Sequence, residues 1–395
     1  MTPAARSQAA IDLLDAVIIA AREGGAAADT LIARYFATRR YAGSKDRRAV
    51  RELVYAAIRG AGELPASGRA ALLRVAADDA ALAATFDGSP YGPAAIDAGE
   101  PRATAGIAPR WLIGALLKSG LAKAQLAALI DRAPLDVRVN RLTTTRDAVL
   151  AALPDSAATP HAPDGVRLPA GTNVEALPLW ATGAIEVQDE GSQIVGAALA
   201  VQPGQRIVDL CAGAGGKTLA LAAAMANEGA ILACDTDRGR LSRLAPRAVR
   251  AGVAIVETRL LDPSHEAAML ADWRGTADGV LIDAPCSGTG TWRRNPEARW
   301  RLTTGRLAKL RATQAHVLDT GAALVRPGGA LIYIVCSLLD EEGADQIAPF
   351  LARHPGWTAT PPLLAAGRAH RGGVRLDPAS DGTDGFFVAR LTAPC

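Results

Sequence analysis

Short apolar runs alternate with helical patterns between residues 201 and 351 of this 395-residue chain. Ile207-Val208-Asp209, Ile231 to Asp235 and Val280 to Asp283 have the length and composition of buried strands. Between such runs, stretches such as Arg238 to Arg250 repeat their apolar residues with the period of a helix. Because strands that alternate with helices form parallel βαβ units, we predict an α/β fold with a doubly wound sheet.

Three further strands are predicted for this sheet. Val253 to Glu257 and Leu331 to Val335 are apolar runs at the spacing that the alternation requires. The closing segment, Phe386 to Leu391, predicts a last strand that pairs as a hairpin with a strand near Thr358.

The chain before residue 191 has a different pattern. Residues 4–85 carry helical stripes, and Arg39 to Arg51 forms a charged connector between two of them. Residues 86–105 are rich in Gly, Pro, Ala and Asp, which predicts a linker. We therefore expect a helical domain over residues 1–100, a small α+β module over 106–190 and the α/β domain over 191–395.

Basic residues are locally concentrated, although the net charge is only +3. Residues 293–311 hold seven basic side chains and one acid, Glu297. A second cluster comprises Arg39, Arg40, Lys45, Arg47, Arg48 and Arg51. Such clusters are typical of proteins that bind a polyanion such as RNA, although a solvated arginine-rich surface explains either cluster alone equally well.

The five cysteines contain no Cys-x-x-Cys pair, and no His pair stands at ligand spacing. These patterns argue against zinc and predict no metal site. An odd number of cysteines without a secretion signal predicts a protein of the reducing cytoplasm. The longest early apolar run, Ala16 to Ala21, is too short to cross a bilayer, so we expect no membrane partner.

A glycine-rich loop, Cys211-Ala212-Gly213-Ala214-Gly215-Gly216-Lys217-Thr218, follows the first predicted strand of the sheet. In an open α/β sheet, ligands bind beyond the carboxyl ends of the strands, where the next helix presents free N–H groups. A phosphate-binding P-loop requires glycine where Cys211 stands, and the dinucleotide pattern requires a small residue at Thr218. A loop that fits neither motif suits a cofactor without phosphate, such as S-adenosylmethionine (SAM).

Three side chains stand where such a cofactor needs partners. Asp235 ends the second strand and can accept hydrogen bonds from both ribose hydroxyls, while Asp262 follows the third strand within reach of the adenine amino group. Lys217 offers a cation for the methionine carboxylate. A single acid at a strand end is equally well explained as a helix cap, but acids at three successive strand ends, beginning with Asp209, favour a cofactor site.

Two cysteines, Cys286 and Cys336, follow strands of the same predicted sheet and lie 50 residues apart in the chain. Carbon 5 of a pyrimidine is a weak nucleophile, but a thiolate that adds to carbon 6 makes it reactive toward a methyl sulfonium. This chemistry needs a cysteine with a depressed pKa and an acid or hydrogen-bond donor near ring nitrogen 3, a task suited to Asp283. The ordinary role of a lone cysteine, a small buried hydrophobe, explains Cys234 and Cys395 better than it explains this pair.

The chain resembles the RsmB/Sun family of RNA cytosine carbon-5 methyltransferases over most of residues 106–392. The matching motifs are Cys211 to Thr218, Asp283-Ala-Pro-Cys286-Ser-Gly-Thr-Gly290, Asn295-Pro296, Val335-Cys336-Ser337, Arg138-Val-Asn-Arg141, Gln188-Asp-Glu-Gly-Ser192 and Asp384-Gly-Phe-Phe387. Gly43-Ser-Lys-Asp-Arg-Arg48 is similar to the NusB-like RNA-binding domain of members that modify ribosomal RNA. The resemblance implies a class I SAM-dependent methyltransferase with a Rossmann-like sheet, an N-terminal all-α NusB-like domain and a small α+β module.

The resemblance also implies roles for individual residues. Cys336 would be the nucleophile, and Cys286 would assist release of the product. SAM would be bound by Cys211, Ala212, Gly213, Ala214, Gly215, Gly216, Lys217, Asp235, Asp262 and Asp283. The chain departs from the family at two positions, because Ala214 replaces a usual Pro in the loop and Val335 replaces a common Thr before the nucleophile.

The expected function is therefore SAM-dependent formation of 5-methylcytosine in RNA, with 16S ribosomal RNA as the expected substrate and a monomer as the expected state. Arg293, Arg294 and Arg299 follow Cys286 and are expected to hold the phosphates that flank the target base. Three alternatives stay open: a DNA cytosine methyltransferase that uses Cys286, a non-catalytic RNA-binding ribosome assembly factor, and a P-loop nucleotidase, which Cys211 disfavours.

Overall fold

The computed structural model describes every residue from 1 to 395. The chain forms two compact units. The first, called here the helical unit, comprises residues 1–132 and 291–304. The second, called the sheet unit, comprises residues 133–290 and 305–395. None of the helices combines the length and the apolar composition that crossing a membrane requires.

The helical unit contains the helices that were predicted for residues 4–85. Its helices, numbered in chain order, are α1 (Pro3–Glu23), α2 (Ala28–Ala37), α3 (Ser44–Gly60), α4 (Gly68–Ala76), α5 (Ala80–Ala83), α6 (Arg110–Lys118), α7 (Lys123–Leu126) and α15 (Ala298–Arg301). The first helix begins after Thr2, whose hydroxyl accepts a hydrogen bond from the N–H of Ala5. It ends at Gly24, whose φ of 76° places it in the left-handed region that favours glycine.

The predicted charged connector between Arg39 and Arg51 is wrong over most of its length, because α3 already begins at Ser44. Lysine and arginine are good helix formers, so charged residues do not interrupt a helix whose opposite face is apolar. Val50 and Val54 supply that apolar face and are fully buried. The basic side chains of this segment therefore lie along the first turns of a helix.

Arg299 holds the segment 291–304 within the helical unit. Its side chain is fully buried, and its guanidinium donates to the carbonyl oxygens of Ile58 at 2.6 Å, Ala61 at 2.9 Å and Pro296. Burial lowers the pKa of Arg299 to about 9. The expectation that Arg299 binds an RNA phosphate is wrong, because its two terminal nitrogens donate to backbone carbonyl groups and its side chain does not reach solvent.

We expect Arg299→Met to lower the free energy of unfolding by about 2–4 kcal/mol, because three buried carbonyl groups would lose their donor. Urea unfolding followed by circular dichroism would measure the change. Arg34→Met is the matched control: Arg34 is exposed in the same unit, and its replacement should stay within about 0.5 kcal/mol of wild type. Equal stability of the two variants would refute this role of Arg299.

A small antiparallel sheet opens the sheet unit. Its strands are β1 (Leu135–Val139), β2 (Ala157–Ala158), β3 (Gly165–Leu168) and β4 (Ile185–Val187), in the spatial order β2-β3-β1-β4. The short helices α8 (Arg146–Ala152) and α9 (Pro178–Ala181) lie between these strands in the chain. Val137, Val139, Val166 and Ile185 form their buried core, as expected for a sheet whose apolar residues alternate.

The second sheet of this unit is the predicted doubly wound α/β sheet. Its strands are β5 (Arg206–Asp209), β6 (Ala230–Asp235), β7 (Val256–Leu260), β8 (Ala277–Asp283), β9 (Val325–Val335), β10 (Thr358–Thr360), β11 (Arg368–His370), β12 (Gly373–Leu376) and β13 (Phe386–Thr392). They lie in the order β11-β12-β13-β9-β8-β5-β6-β7, with β10 paired to β13. Strands β5 to β9 run parallel, whereas β13 is antiparallel to β9 and to β10. The predicted pairing of the last strand with a strand near Thr358 is confirmed, but the two do not form the predicted hairpin, because β11 and β12 lie between them in the chain.

Helices connect the parallel strands, as the alternation predicted. The connecting helices are α11 (Gly216–Ala224), α12 (Arg238–Leu241), α13 (Leu244–Ala251), α14 (Glu266–Met269) and α16 (Thr304–Ala322). Outside these connections, α10 (Glu190–Gly196) precedes β5, α17 (Ala344–Arg353) follows β9 and α18 (Pro378–Asp381) lies between β12 and β13. The single helix predicted over Arg238 to Arg250 is two helices. Pro246 has no N–H to donate, and it stands in the first turn of α13, where a helix tolerates proline.

The strand predicted over Val253 to Glu257 begins three residues too early. The observed strand is Val256–Leu260, because Gly252 ends α13 in a left-handed conformation with φ of 70°. The N–H of Val253 then bonds back to the carbonyl oxygen of Ala248 at 2.9 Å. Apolar residues after Gly252 therefore complete the exit from the helix before pairing begins.

Candidate active site

The glycine loop joins β5 to α11 at the carboxyl edge of the sheet. Gly215 has φ of 84°, and a Cβ at this position would lie 2.0 Å from the Cδ1 atom of Leu244, so only glycine fits here. Gly213, with φ of 56°, donates its N–H to the Oδ2 atom of Asp235 at 2.8 Å. The loop thus presents its backbone at the N-terminus of a helix, a site that attracts negatively charged ligand groups.

Asp235 and Asp262 lie in different environments. Asp235 ends β6 and is almost buried, and its two carboxylate oxygens accept from the N–H groups of Gly213 and Asp237, each at 2.8 Å. Asp262 lies two residues beyond β7 with its carboxylate 67% exposed and 3.2 Å from the Nδ1 atom of His265. The first acid is fixed by the fold, whereas the second points into solvent.

Asp209, at the end of β5, is fully buried below the glycine loop. One carboxylate oxygen accepts a hydrogen bond of 2.7 Å from the hydroxyl of Thr218, and the other has no partner in the protein. Burial raises the pKa of Asp209 to about 7, against the opposing effect of the Thr218 hydrogen bond. This acid is therefore poised to hold a proton at neutral pH.

Lys217 and Asp283 form an ion pair of 2.6 Å. Burial acts to lower the pKa of Lys217, but attraction to Asp283 and the hydrogen bond between them outweigh it and raise that pKa. A thiolate at Cys336 would raise the pKa of Lys217 further. Lys217 is therefore a fixed cation beside the carboxylate and the thiol that the sequence analysis selected.

The two cysteines meet at the ends of neighbouring parallel strands. Cys286 follows β8 and Cys336 follows β9, and their Sγ atoms lie 3.3 Å apart. The hydrogen bond that the Cys286 thiol shares with Cys336 raises the pKa of Cys286 well above its ordinary value, and burial adds to the effect. Cys234 is a buried core residue, as predicted, whereas the same prediction for Cys395 is wrong, because Cys395 is exposed.

The loop after Cys286 is held against the chain by a close approach of two glycines. The N–H of Gly290 donates to the carbonyl oxygen of Cys336 at 3.0 Å, and Gly385 donates to that of Gly290 at 2.8 Å. A Cβ at Gly290 would lie 2.1 Å from the carbonyl oxygen of Gly385, so a side chain here would push the loop away.

Two residues that departed from the family pattern have a structural explanation. The carbonyl oxygen of Ala214 accepts a hydrogen bond from the guanidinium of Arg247, which holds the loop in the absence of a proline. The side chain of Val335 is fully buried in the core of the sheet, where a hydroxyl group would need a partner.

Sequence reasoning missed four polar residues that support the site. Arg247 bonds both Ala214 and the carboxylate of Glu186, and Gln314 and Glu342 lie under the two cysteine loops. Each makes at least one contact with a residue 28 or more positions away in the chain, so no local motif reveals it. Only the three-dimensional structure brings them to the site.

Among His, Cys, Asp and Glu, no group of three or more side chains is placed to hold a metal ion.

Two family models match the chain. The model described as 16S rRNA methyltransferase RsmB/F matches residues 196–392. The model described as the ferredoxin-like domain of RsmF/B-like methyltransferases matches residues 108–175. Residues 176–195, which include β4, lie between the two matches.

Curated relatives carry a related name. The chain is 38% identical over 291 residues to ribosomal RNA small subunit methyltransferase B of Salmonella paratyphi A, a match that covers 72% of this chain and 66% of the relative. The protein of the same name from Citrobacter koseri is 37% identical over 293 residues, with the same coverage. The chain thus spans 66% of the length of these relatives, just under two thirds.

Three solved structures are similar to this one. The crystal structure of PH0851 covers 99% of both chains with a TM-score of 0.78 and 25% identity. A methyltransferase homologue from Pyrococcus horikoshii covers 72% of this chain and 99% of its own, with a TM-score of 0.60 and 26% identity. NSun6 from Pyrococcus horikoshii, solved with SFG, covers 72% of this chain and 98% of its own, with a TM-score of 0.65 and 19% identity, and so shows the shared fold alone.

The buried carboxyl group of Asp209 makes the folded wild-type protein less stable as the pH rises. We expect Asp209→Asn to remove this loss of stability. Because the folded-state pKa of Asp209 is raised to about 7, wild type keeps a proton there that the unfolded chain has already lost. Between pH 5 and pH 8 the variant should therefore gain about 2–3 kcal/mol relative to wild type.

Urea unfolding at several pH values, without any cofactor, would measure this gain. Asp155→Asn is the matched control, because Asp155 is exposed and should leave the pH dependence unchanged. Parallel pH profiles for wild type and Asp209→Asn would show that Asp209 ionises normally in the folded protein.

Proposed function

This chain belongs to the family described as 16S rRNA methyltransferase RsmB/F, and from that premise we propose that it transfers a methyl group from SAM to carbon 5 of a cytosine in 16S ribosomal RNA. The observation that carries the proposal is the contact of 3.3 Å between the Sγ atoms of Cys286 and Cys336 beside the Lys217–Asp283 ion pair. Methylation at carbon 5 requires a thiolate nucleophile and a second group that accepts a proton.

The residues at the carboxyl edge fit SAM. The glycine loop over residues 211–217 offers backbone N–H groups, Lys217 offers a cation, and Asp235, Asp262 and Asp283 offer carboxylates for amino and hydroxyl groups. SAM would supply an electrophilic methyl group on a sulfonium. The absence of side chains at Gly213 and Gly215 lets the loop pack closely against Arg240 and Leu244, which holds its backbone in this conformation.

Cys336 is the proposed nucleophile. Its thiolate would form a bond to carbon 6 of the cytosine, and the ring electrons would move so that carbon 5 takes up the methyl group. The adduct would then lose the carbon-5 proton, the bond between Sγ and carbon 6 would break, and the aromatic ring would return. The cation of Lys217 stabilises a thiolate at Cys336, because each charge favours the other.

Cys286 is the proposed acceptor of the carbon-5 proton. The largest cause of its raised pKa is the hydrogen bond with Cys336, and repulsion by a Cys336 thiolate adds to it. Once the Sγ atom of Cys336 is bonded to carbon 6, it no longer carries the thiolate charge and is no longer the hydrogen-bond partner of Cys286. The pKa of Cys286 would then fall, so its thiol could release its proton to solvent, and the resulting thiolate could take up the carbon-5 proton. Asp283 would hydrogen-bond to ring nitrogen 3 and the amino group.

The basic face of the helical unit is the proposed RNA-binding surface. Arg40, Lys45 and Arg48 are exposed, whereas Arg39 stacks on the ring of Tyr35 at 3.6 Å and Arg47 bonds the carbonyl oxygen of Ala42. Residues 1–100 would serve as the NusB-like RNA-binding domain, residues 106–190 as the small module and residues 191–395 as the catalytic domain. Cations that make no bond within the protein remain available for phosphates.

The first prediction concerns a covalent adduct with unmethylated small-subunit ribosomal RNA in the presence of SAM. Cys286→Ala should accumulate an adduct that survives a denaturing gel, because its release is blocked after the thiol has attacked. Cys336→Ala should form none, because it lacks the nucleophile.

Cys395→Ala is the matched control, since Cys395 is exposed and should behave as wild type. The reverse pattern, with an adduct in Cys336→Ala alone, would make Cys286 the nucleophile. A methyl group found on any atom other than carbon 5 would refute the mechanism.

The second prediction concerns the basic face. Replacing Arg40, Lys45 and Arg48 together by Ala should weaken RNA binding and reduce the slope of log affinity against log salt by about 2–3, because three phosphate contacts are lost. SAM binding, measured by calorimetry, should be unchanged. The control is a variant in which Lys118, Lys123 and Arg274 are replaced by Ala, which removes the same charge at exposed positions outside the cluster. An unchanged salt slope in the first variant would exclude this face as the RNA surface.

A further inference from the structure

We propose that the buried carboxylate of Glu342 positions the two active-site thiols, because it binds the residue that follows each of them. This inference deepens the proposed function and rests on it for its catalytic meaning. Glu342 lies in the segment between β9 and α17 and touches neither thiol in the structure. It would therefore be a positioning residue that acts through Ser287 and Ser337.

The carboxylate has one contact with each cysteine loop through a serine. Ser287 follows Cys286 and donates its N–H to the Oε1 atom of Glu342 at 2.8 Å and its hydroxyl to the Oε2 atom. Ser337 follows Cys336 and donates its hydroxyl to the same Oε2 atom at 2.5 Å. A single side chain thus ties together two loops whose thiols lie 50 residues apart in the chain.

A third element adds to this arrangement. The Nε2 atom of Gln314, on α16, donates to the Oε1 atom of Glu342 at 3.1 Å and to the carbonyl oxygen of Pro285 at 3.0 Å. The residue before Cys286 and the residue after it are therefore both held. The backbone of Glu342 is fixed as well, because the hydroxyl of Tyr333 donates to its carbonyl oxygen at 2.5 Å.

Burial makes the carboxylate of Glu342 energetically costly unless hydrogen-bond donors surround it. Glu342, Ser337 and Gln314 are all 0% exposed, and Glu342 has no ion pair with a cation. A buried charge without a counter-ion is costly unless donors surround it, and here four donors do so. Two hydroxyls, one backbone N–H and one amide converge on this one carboxylate, and their bonds fix the positions of the groups that donate them.

The chemistry of these donors explains why a carboxylate is required. Oε1 receives a backbone N–H and an amide N–H, neither of which can accept a hydrogen bond. Oε2 receives two hydroxyls, which can turn and accept instead. Glutamine at position 342 can therefore keep the Oε1 contacts and place its NH₂ group toward the serines, so Glu342→Gln removes the charge and keeps most of the clamp. Glu342→Ala removes both.

The charge of Glu342 has a separate effect on Cys286. The hydrogen bond with Cys336 and burial are the larger causes of the raised pKa of the Cys286 thiol, and the carboxylate of Glu342 raises it further. Removing that charge should lower this pKa. A residue with a purely structural role would change the melting temperature and would leave the ionisation of a neighbouring thiol unaffected.

The test compares wild type, Glu342→Ala, Glu342→Gln and the matched control Glu341→Gln. Glu341 is the adjacent acid, but it is partly exposed and pairs with Arg311 at 2.8 Å. Two readouts are taken on the full chain: adduct formation with unmethylated small-subunit ribosomal RNA and SAM, and oxidation of the thiol pair by glutathione disulfide. The oxidation joins Cys286 to Cys336 and yields two molecules of reduced glutathione, so mass spectrometry can count it.

We expect Glu342→Ala to slow both adduct formation and thiol pairing by about 10–100-fold, because a displacement of about 1 Å is enough for such a loss. SAM affinity should stay at the wild-type value. Glu342→Gln should retain fast pairing, while its release of methylated RNA shifts to lower pH. Glu341→Gln should match wild type in every measurement.

Wild-type rates of pairing and adduct formation in a folded Glu342→Ala, with an unshifted release profile in Glu342→Gln, would overturn the proposal. If Glu342→Ala does not fold, Glu342→Gln decides alone: a shift to lower pH supports the proposal, and an unshifted profile overturns it. If wild type forms no adduct but pairs its thiols in a manner that depends on Glu342, the positioning role stands and the proposed reaction fails.

Discussion

The parallel pairing of β5 with β8, and of β8 with β9, is the constraint on which the site depends. In this register Asp209 lies opposite Leu281, and Asp283 lies opposite Ile334. Three strands therefore end at one edge, and from these ends leave the glycine loop and the two segments that carry the cysteines. A slip of one residue would turn every side chain of a strand to the other face of the sheet. The chemistry is thus assembled by backbone hydrogen bonds before any side chain contributes.

Acids around the site are stabilised by donors more than by cations. Asp235 accepts two backbone N–H groups, and Glu342 accepts from two hydroxyls, an amide and a backbone N–H. The ion pair of Lys217 with Asp283 is the exception, and it lies where the cofactor and the thiols would meet. Donors that belong to the fold stay in place during a reaction, so such a site needs little reorganisation as charge develops.

Much of the fold followed from periodicity, since strands and helices of the α/β sheet leave local patterns in the sequence. The strand ends that carry Asp235, Asp283 and Cys336 were predictable for the same reason, and the structure brings Cys286 to Cys336 as that pattern indicated. The individual roles of these residues in binding and catalysis stay predictions. Composition could not distinguish the buried Arg299 from an exposed arginine, because burial depends on which carbonyl groups fold around it. Glu342 and Arg247 escaped prediction because Ser287, Gln314, Ala214 and Glu186, to which they bond, are distant from them in the chain.

Arg247 has a consequence for how this protein can vary. Its guanidinium donates to the carbonyl oxygen of Ala214 in the glycine loop. It also donates to the carboxylate of Glu186, on β4 of the small sheet, at 2.9 Å. Arg250 binds the same carboxylate. A lineage that exchanged the small sheet for an unrelated module would keep the whole large sheet and still leave two arginines without their acid. The small sheet and the glycine loop are therefore joined through Arg247, and a chimaera divided at the end of β4 would separate them.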